Sequence, residues 1–173
     1  QKILSQVQAE GPDITIALLH WGSEYDRDIS RTQEEIRDLM LQGGVDVILG
    51  THSHLVGPVE MTTDHSGAML TAYGLGDLMS TGDVSRDSQG LVLKLEFTKS
   101  GNETSLTGYH WDPIYLAGMG KTGAGAFEVV NTRDEISLYE SQYVGRVSQE
   151  MYEALKQSLE EVESSVKARE EKS

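Results

Sequence analysis

Three histidines stand where side chains could do metal chemistry. His20 lies in the run ALLHWGSEY, and His52 and His54 lie in VDVILGTHSHLVGPVE. Each group closes a strongly apolar run, and an open α/β sheet delivers its ligand-binding side chains at the carboxyl ends of its strands. If the two runs are neighbouring strands, three imidazoles meet in one small volume. Neutral imidazole is a favoured ligand for zinc, iron and manganese-type ions. Residues two apart on an extended segment point the same way, so His52 and His54 are expected to reach one centre or two adjacent ones. Gly50 is expected to let the backbone turn sharply there. The ions of a dinuclear site stand about 3.5–4 Å apart, a gap that two histidines on one segment can straddle. Three imidazoles alone leave such a site incomplete, because oxygen anions must neutralise the charge and bridge the ions. Cysteine is absent, so every protein ligand must be nitrogen or oxygen.

Neighbouring residues divide between site and scaffold. Glu24 and Tyr25 follow His20 closely and are candidates to line a pocket, although Glu24 reads equally well as a solvated loop carboxylate. Trp21 reads as a strand-end side chain packed on the core rather than a cleft wall. His65 and His110 have no partner at metal-ligand spacing and read as hydrogen-bonded structural histidines. The glycine-rich GMGKTGAG at Gly118 to Gly125 lacks the four-residue spacing of a phosphate loop and reads as an ordinary loop.

These residues need a scaffold, and the flanking patterns supply one. Lys2 to Glu10 has helical apolar spacing and stops at Gly11-Pro12-Asp13. Ile14 to Leu19, apolar except for Thr15, has the pattern of a strand covered on both faces. Ser30 opens a helix with Gln33 as capping-box partner, a stripe of Ile36, Leu39 and Met40, and a stop at Gly43-Gly44. Val45 to Leu49 then reads as a second buried strand. Ile14 to Leu49 is therefore a strand, helix, strand unit with a right-handed crossover and parallel strands. Shorter β candidates follow at Val59 to Thr63, Met69 to Tyr73, Leu91 to Thr98 and Ser105 to Tyr109, with LVLKLEF alternating so as to leave one wet face. From Asp134 onward the pattern is helical, with Leu138, Tyr139, Met151, Leu155, Leu159 and Val162 as a stripe. The acids Glu160, Glu161, Glu163, Glu170 and Glu171 read as a solvated helix face, and KAREEKS after Val166 as a frayed tail.

Bulk composition narrows the function classes. A chain of 173 residues can bury a real core, and 38% hydrophobic with 24% charged residues is ordinary for a soluble protein. No run reaches the roughly 18 apolar residues of a membrane-spanning helix. Fourteen Lys and Arg against 28 acids give a formal charge of −14, which argues against a nucleic-acid surface. A polyanionic substrate would need a local cation, and a bound divalent metal would supply one.

Three motifs in order carry a family resemblance: HWGSEY at His20 to Tyr25, GTHSHLVGPVE at Gly50 to Glu60, and AYGLGDLMS at Ala72 to Ser80. Together they resemble the later motifs of the CapA family of poly-gamma-glutamate capsule biosynthesis proteins, relatives of the calcineurin-like metallophosphoesterases. The resemblance implies metal-ligating positions at His20, His52 and His54, holding one or two divalent ions of the Mn, Fe or Zn type. It implies a divalent-metal-dependent hydrolase when complete, taking an anionic polymer or a phosphorylated small molecule and working outside the cytoplasmic membrane at the cell surface. Such proteins are often tethered by an N-terminal segment.

Members of that family carry upstream an early Asp, a second Asp that bridges the metals, and an Asn-His pair that supplies a ligand and the catalytic base. No such set precedes His20. The expected fold is thus the C-terminal half of a two-sheet α/β sandwich of the metallophosphoesterase kind over residues 1–133, followed by a helical segment over 134–173. Its uncovered sheet would be completed by the preceding half or by a second chain. Asp77 stands where the family motif commonly has Asn, and its extra charge would bind a cation or cap a turn. The alternative function is a non-catalytic binding or assembly module with a degenerate metal site.

Overall fold

The computed structural model describes residues 2–64, 67–79, 88–118, 127–141 and 147–169. Helix α1 (Lys2–Ala9) leads into strand β1 (Ile16–His20), helix α2 (Arg31–Gln42) and strand β2 (Val47–Thr51). Local chemistry sets these bounds. Ser30 accepts from the Gln33 N–H while the Gln33 side chain accepts from the Ser30 N–H, the reciprocal capping box expected there. At the other end, Gly43 and Gly44 close α2 on the carbonyls of Leu39, Met40 and Leu41.

Strands β3 (Val59–Asp64) and β4 (Gly67–Ala72) form a hairpin that joins β1 and β2 in one sheet of order β1-β2-β4-β3. Both β1 and β4 run parallel to β2, and only β3 is antiparallel. The parallel core of the sheet therefore extends past the first crossover. A second, antiparallel sheet contains β5 (Gln89–Ser100), β6 (Glu103–Gly118) and β7 (Phe127–Asn131) in that order. Helices α3 (Thr132–Glu140) and α4 (Gln149–Lys167) complete the chain. The protein is a mixed α/β fold of two sheets and flanking helices, which agrees with the two-sheet α/β fold that the family resemblance implied. Strand β7 was not foreseen, because FEVVN is short and runs directly into the α3 cap at Asn131.

Alternation along β2 divides the core. Val47 faces the second sheet, in a cluster with Val56, Val59, Leu70, Ala72, Leu91 and Leu106, which Val162 and Val166 of α4 also enter. Ile48 faces the opposite way, with Val45, Trp21 and Tyr73, and α1 and α2 cover that side through Leu4, Ile36 and Met40. Helix α4 buries Leu155, Ser158, Val162 and Val166 on one stripe. Each fully buried Val or Leu contributes about 1.5–3 kcal/mol relative to exposure, so these seams hold the layers together.

Four expectations are corrected. The β1 run is not covered on both faces: it is an edge strand, and Ile16 and Leu18 are 46% and 74% exposed, because the second sheet covers β2 and β4 but does not extend over β1. Leu39 is 51% exposed and lies outside the buried stripe of α2. Glu161 and Glu163 are not simply solvated, since α4 lies against the sheets and pairs them with Arg27 and Arg133, each at 3.0 Å. The tail beyond Val166 is ordered through Arg169, which meets Glu34 at 2.8 Å and Glu60 at 2.5 Å. His65 and the glycine-rich run after Gly118 lie outside the described residues, as do Glu170 and Glu171.

Candidate functional site

Parallel pairing of β1 with β2 places His20 opposite Thr51, so His52 is the first residue past the adjoining strand end. The two imidazole rings consequently approach to 4.2 Å between centroids, tilted by 35°. Close packing behind them fixes this geometry. The Trp21 N–H donates to the Thr51 carbonyl at 3.2 Å, and its indole Nε1 donates to the Tyr73 carbonyl at 2.9 Å. Trp21 is 7% exposed and stacks on Tyr73, as expected of a core-packing residue. Gly50 is required for a reason other than the expected sharp turn: a Cβ there would collide with the Tyr73 carbonyl oxygen and with Trp21 Nε1.

The segment after β2 is not the extended run anticipated for His52 and His54. Its backbone turns, with φ of 100° at His52 and 60° at His54. Among the described residues, Tyr25, with φ of 59°, is the other non-glycine in this region. Left-handed conformations of this kind cost of order 1–3 kcal/mol each and cluster where a site demands them. The strain sends the two histidines to different partners. His52 meets His20, while His54 places Nδ1 2.8 Å from Asp77 Oδ2 and stacks its ring on Tyr25 at 5.1 Å. The Tyr25 N–H donates to the Ser53 carbonyl at 2.9 Å, tying the loop after β1 to the histidine segment.

Asp77 is positioned by the second sheet. Its N–H donates to the Gln89 carbonyl at 3.0 Å, and the Leu91 N–H donates to the Leu75 carbonyl at 2.8 Å, so the loop after β4 is stitched to β5. A carboxylate at Nδ1 holds a proton on that nitrogen, which leaves the lone pair of the imidazole on Nε2. That is the tautomer suited to a metal ligand or a general base. Asp77 thus orients a histidine rather than merely capping a turn.

As for a metal, the donor set within the described residues is partial. His20 and His52 supply two nitrogen donors side by side, Asp77 is engaged by His54, and Glu24 is exposed on its loop. Among the described residues no three His, Asp or Glu side chains gather closely enough to hold an ion. A divalent site of this donor chemistry needs further ligands and anionic charge, so we derive no chemical step through a metal. His110 lies elsewhere, paired with Glu96 at 3.0 Å on the exposed face of the β5–β6 hairpin.

A second polar cluster left no mark in the sequence. The Tyr73 hydroxyl accepts from Arg37 at 2.7 Å and Arg169 at 3.3 Å, and donates to Glu60 at 3.2 Å. Burial, followed by the Glu60 charge, pushes this phenol up to about 12. Arg169 lies 96 residues from Tyr73, so no local spacing could announce the contact.

Residues 1–81 match the family model of the bacterial capsule synthesis protein PGA_cap. That stretch is similar to the PGA_cap family. The PGA biosynthesis protein CapA of Bacillus subtilis (strain 168) is 29% identical over 89 residues, covering 51% of this chain and 22% of the relative. The capsule biosynthesis protein CapA of Bacillus anthracis is 39% identical over 44 residues, covering 25% of this chain and 11% of the relative. The chain therefore spans about a fifth of the first relative's length and less of the second. All three motifs that carried the resemblance fall within the matched stretch.

Proposed function

We propose that this chain is part of a CapA-like protein of capsule or envelope-polymer biosynthesis, with poly-gamma-glutamate as the polymer, and that the complete protein is a divalent-metal-dependent hydrolase acting outside the cytoplasmic membrane. The observation that carries the reading is the convergence of His20 and His52 at two neighbouring parallel strand ends, 4.2 Å apart. Asp77 behind His54 supports it, since metal-ligating histidines are commonly oriented by a carboxylate on the other ring nitrogen. A metal bound there would polarise the scissile group and activate a water. In this reading His20 and His52 are adjoining nitrogen donors, His54 is a third on the neighbouring turn, and the ion or ions need ligands beyond these. Further CapA-like sequence would supply the oxygen ligands and pack over Ile16 and Leu18.

A second reading is a binding or assembly module with a degenerate site, which the partial donor set favours. Metal titration separates the two. Calorimetry of the full-length protein with Mn²⁺ and Zn²⁺ is expected to show one or two ions per chain, lost in His52→Ala and His54→Ala. Loading should coincide with hydrolysis of a phosphodiester probe or of poly-gamma-glutamate. Metal-loaded protein that cleaves neither would overturn the hydrolase reading, and silence in the titration would leave the module.

A further inference from the structure

Helix α4 lies beyond residues 1–81 that match the family model, yet one of its side chains reaches both segments that hold His54. Glu161 Oε2 accepts from Arg27 at 3.0 Å and from Gln89 at 2.9 Å, residues 134 and 72 positions away in the chain. Its other oxygen accepts from Gln157 at 3.0 Å, one helical turn earlier, which orients the carboxylate on its own helix. Arg27 also donates to Ser165 at 2.7 Å, one turn later, so its guanidinium spans two successive turns of α4. The Gln89 bond leads the effects that hold the Glu161 carboxyl below its ordinary range, so at neutral pH it meets both donors as an anion.

Each donor leads to a different partner of His54. Arg27 stands in the loop after β1 with Tyr25, whose ring stacks on His54 and whose N–H donates to the Ser53 carbonyl at 2.9 Å. Gln89 opens β5, and its carbonyl accepts from the N–H of Asp77, the residue whose carboxylate meets His54 Nδ1. The stacked face and the hydrogen-bonded edge of one imidazole are thus both tethered to a single carboxylate. Stability does not account for this arrangement. The Arg27 and Glu161 side chains are 45% and 34% exposed, and a pair so open to solvent adds little to folding free energy. Geometry does account for it, since a ligand or base must be held within about 0.5 Å of its working position by the groups behind it. We propose that Glu161 is a positioning residue of the histidine site, holding the Tyr25 loop and the Asp77 loop in register on either side of the His54 ring. The proposal rests on the reading of His54 as a member of that site, and it adds the C-terminal helix to the site's construction.

Amide hydrogen exchange in the metal-free full-length protein tests it, with Leu70, bonded to Asp46 in the core of the first sheet, as the reference. Glu161→Ala is expected to quicken exchange of the Tyr25 and Asp77 amides about five- to tenfold relative to Leu70, the effect of losing roughly one hydrogen bond. It should also move the His54 ring nitrogen resonances away from those of the Nδ1-protonated tautomer. Glu161→Gln, whose carboxamide oxygen still accepts, should recover most of both. Arg27→Ala should quicken Tyr25 alone and Gln89→Ala should quicken Asp77 alone, so the test still decides if Glu161→Ala does not fold. Glu163→Ala, which breaks the comparable pair with Arg133 on the same helix, should do neither. Unchanged Tyr25 and Asp77 amides, an acceleration shared equally by Leu70, or the same changes in Glu163→Ala would each overturn the proposal. Zn²⁺ titration of the same proteins separates it from the metal reading. Exchange as expected with no Zn²⁺ bound by any of them sinks the metal site alone, and Zn²⁺ bound alike by all with unchanged exchange sinks the positioning role alone.

Discussion

His54 and Asp77 are 23 residues apart in the chain and 2.8 Å apart in space, Nδ1 against Oδ2, and both side chains are only partly exposed. One comes from the turn after β2 and the other from the loop that β5 holds against β4. The pair fixes a ring tautomer, and the imidazole's usefulness as a ligand or base depends on it.

Removing the carboxylate tests that dependence. Asp77→Ala in the full-length protein is expected to weaken divalent-metal binding by about 10- to 100-fold, the usual effect of losing an orienting partner behind a ligand. Asp77→Asn, whose carbonyl oxygen still accepts from Nδ1, should lose much less. Equal affinities for all three proteins in calorimetry would mean that the pair has no part in metal binding.

The strained turn gives a second prediction. His52 holds φ at 100°, a conformation that glycine adopts freely. His52→Gly is expected to leave stability unchanged or to raise it by up to about 1 kcal/mol in urea denaturation, while abolishing metal binding. A loss of stability well beyond that would show that the imidazole packs a core rather than serving a site.

Arg169 gives a third. It draws the end of α4 onto α2 and β3 through Glu34, Glu60 and Tyr73. Arg169→Ala leaves the half-buried Glu60 with less compensation and should cost about 1–3 kcal/mol. In a chain of this size that corresponds to a fall in Tm of roughly 3–10 °C. A Tm within a degree of wild type would return residue 169 to the solvated tail that its sequence context suggests.

Alkaline pH probes the same cluster. The Tyr73 phenol is raised from 10.0 to about 12, so the fold favours its protonated form. That contribution is complete below about pH 10 and is lost as pH rises toward about 12. Unfolding free energy measured across this window should fall, and Tyr73→Phe should flatten the fall. A wild-type profile no steeper than the variant's would remove Tyr73 from the account.

Much of the scaffold was legible because its causes are local. The Ser30–Gln33 capping box, the Gly43-Gly44 stop and the apolar runs flanking them act within a few residues, and they determined the β1–α2–β2 unit that carries His20 to the side of His52. The three ordered motifs likewise marked the stretch that matches the PGA_cap family model. What the tertiary structure decided was partnership. That His54 turns to Asp77 while His52 turns to His20, that Arg169 closes on Tyr73, and that one face of β1 stays open depend on sheet register and on which layer covers which strand. Sequence periodicity reports that a face is apolar, but only the assembled layers determine what that face meets. The left-handed φ at His52 and His54 accompanies those long-range contacts, and the pattern of neighbouring residues did not announce it.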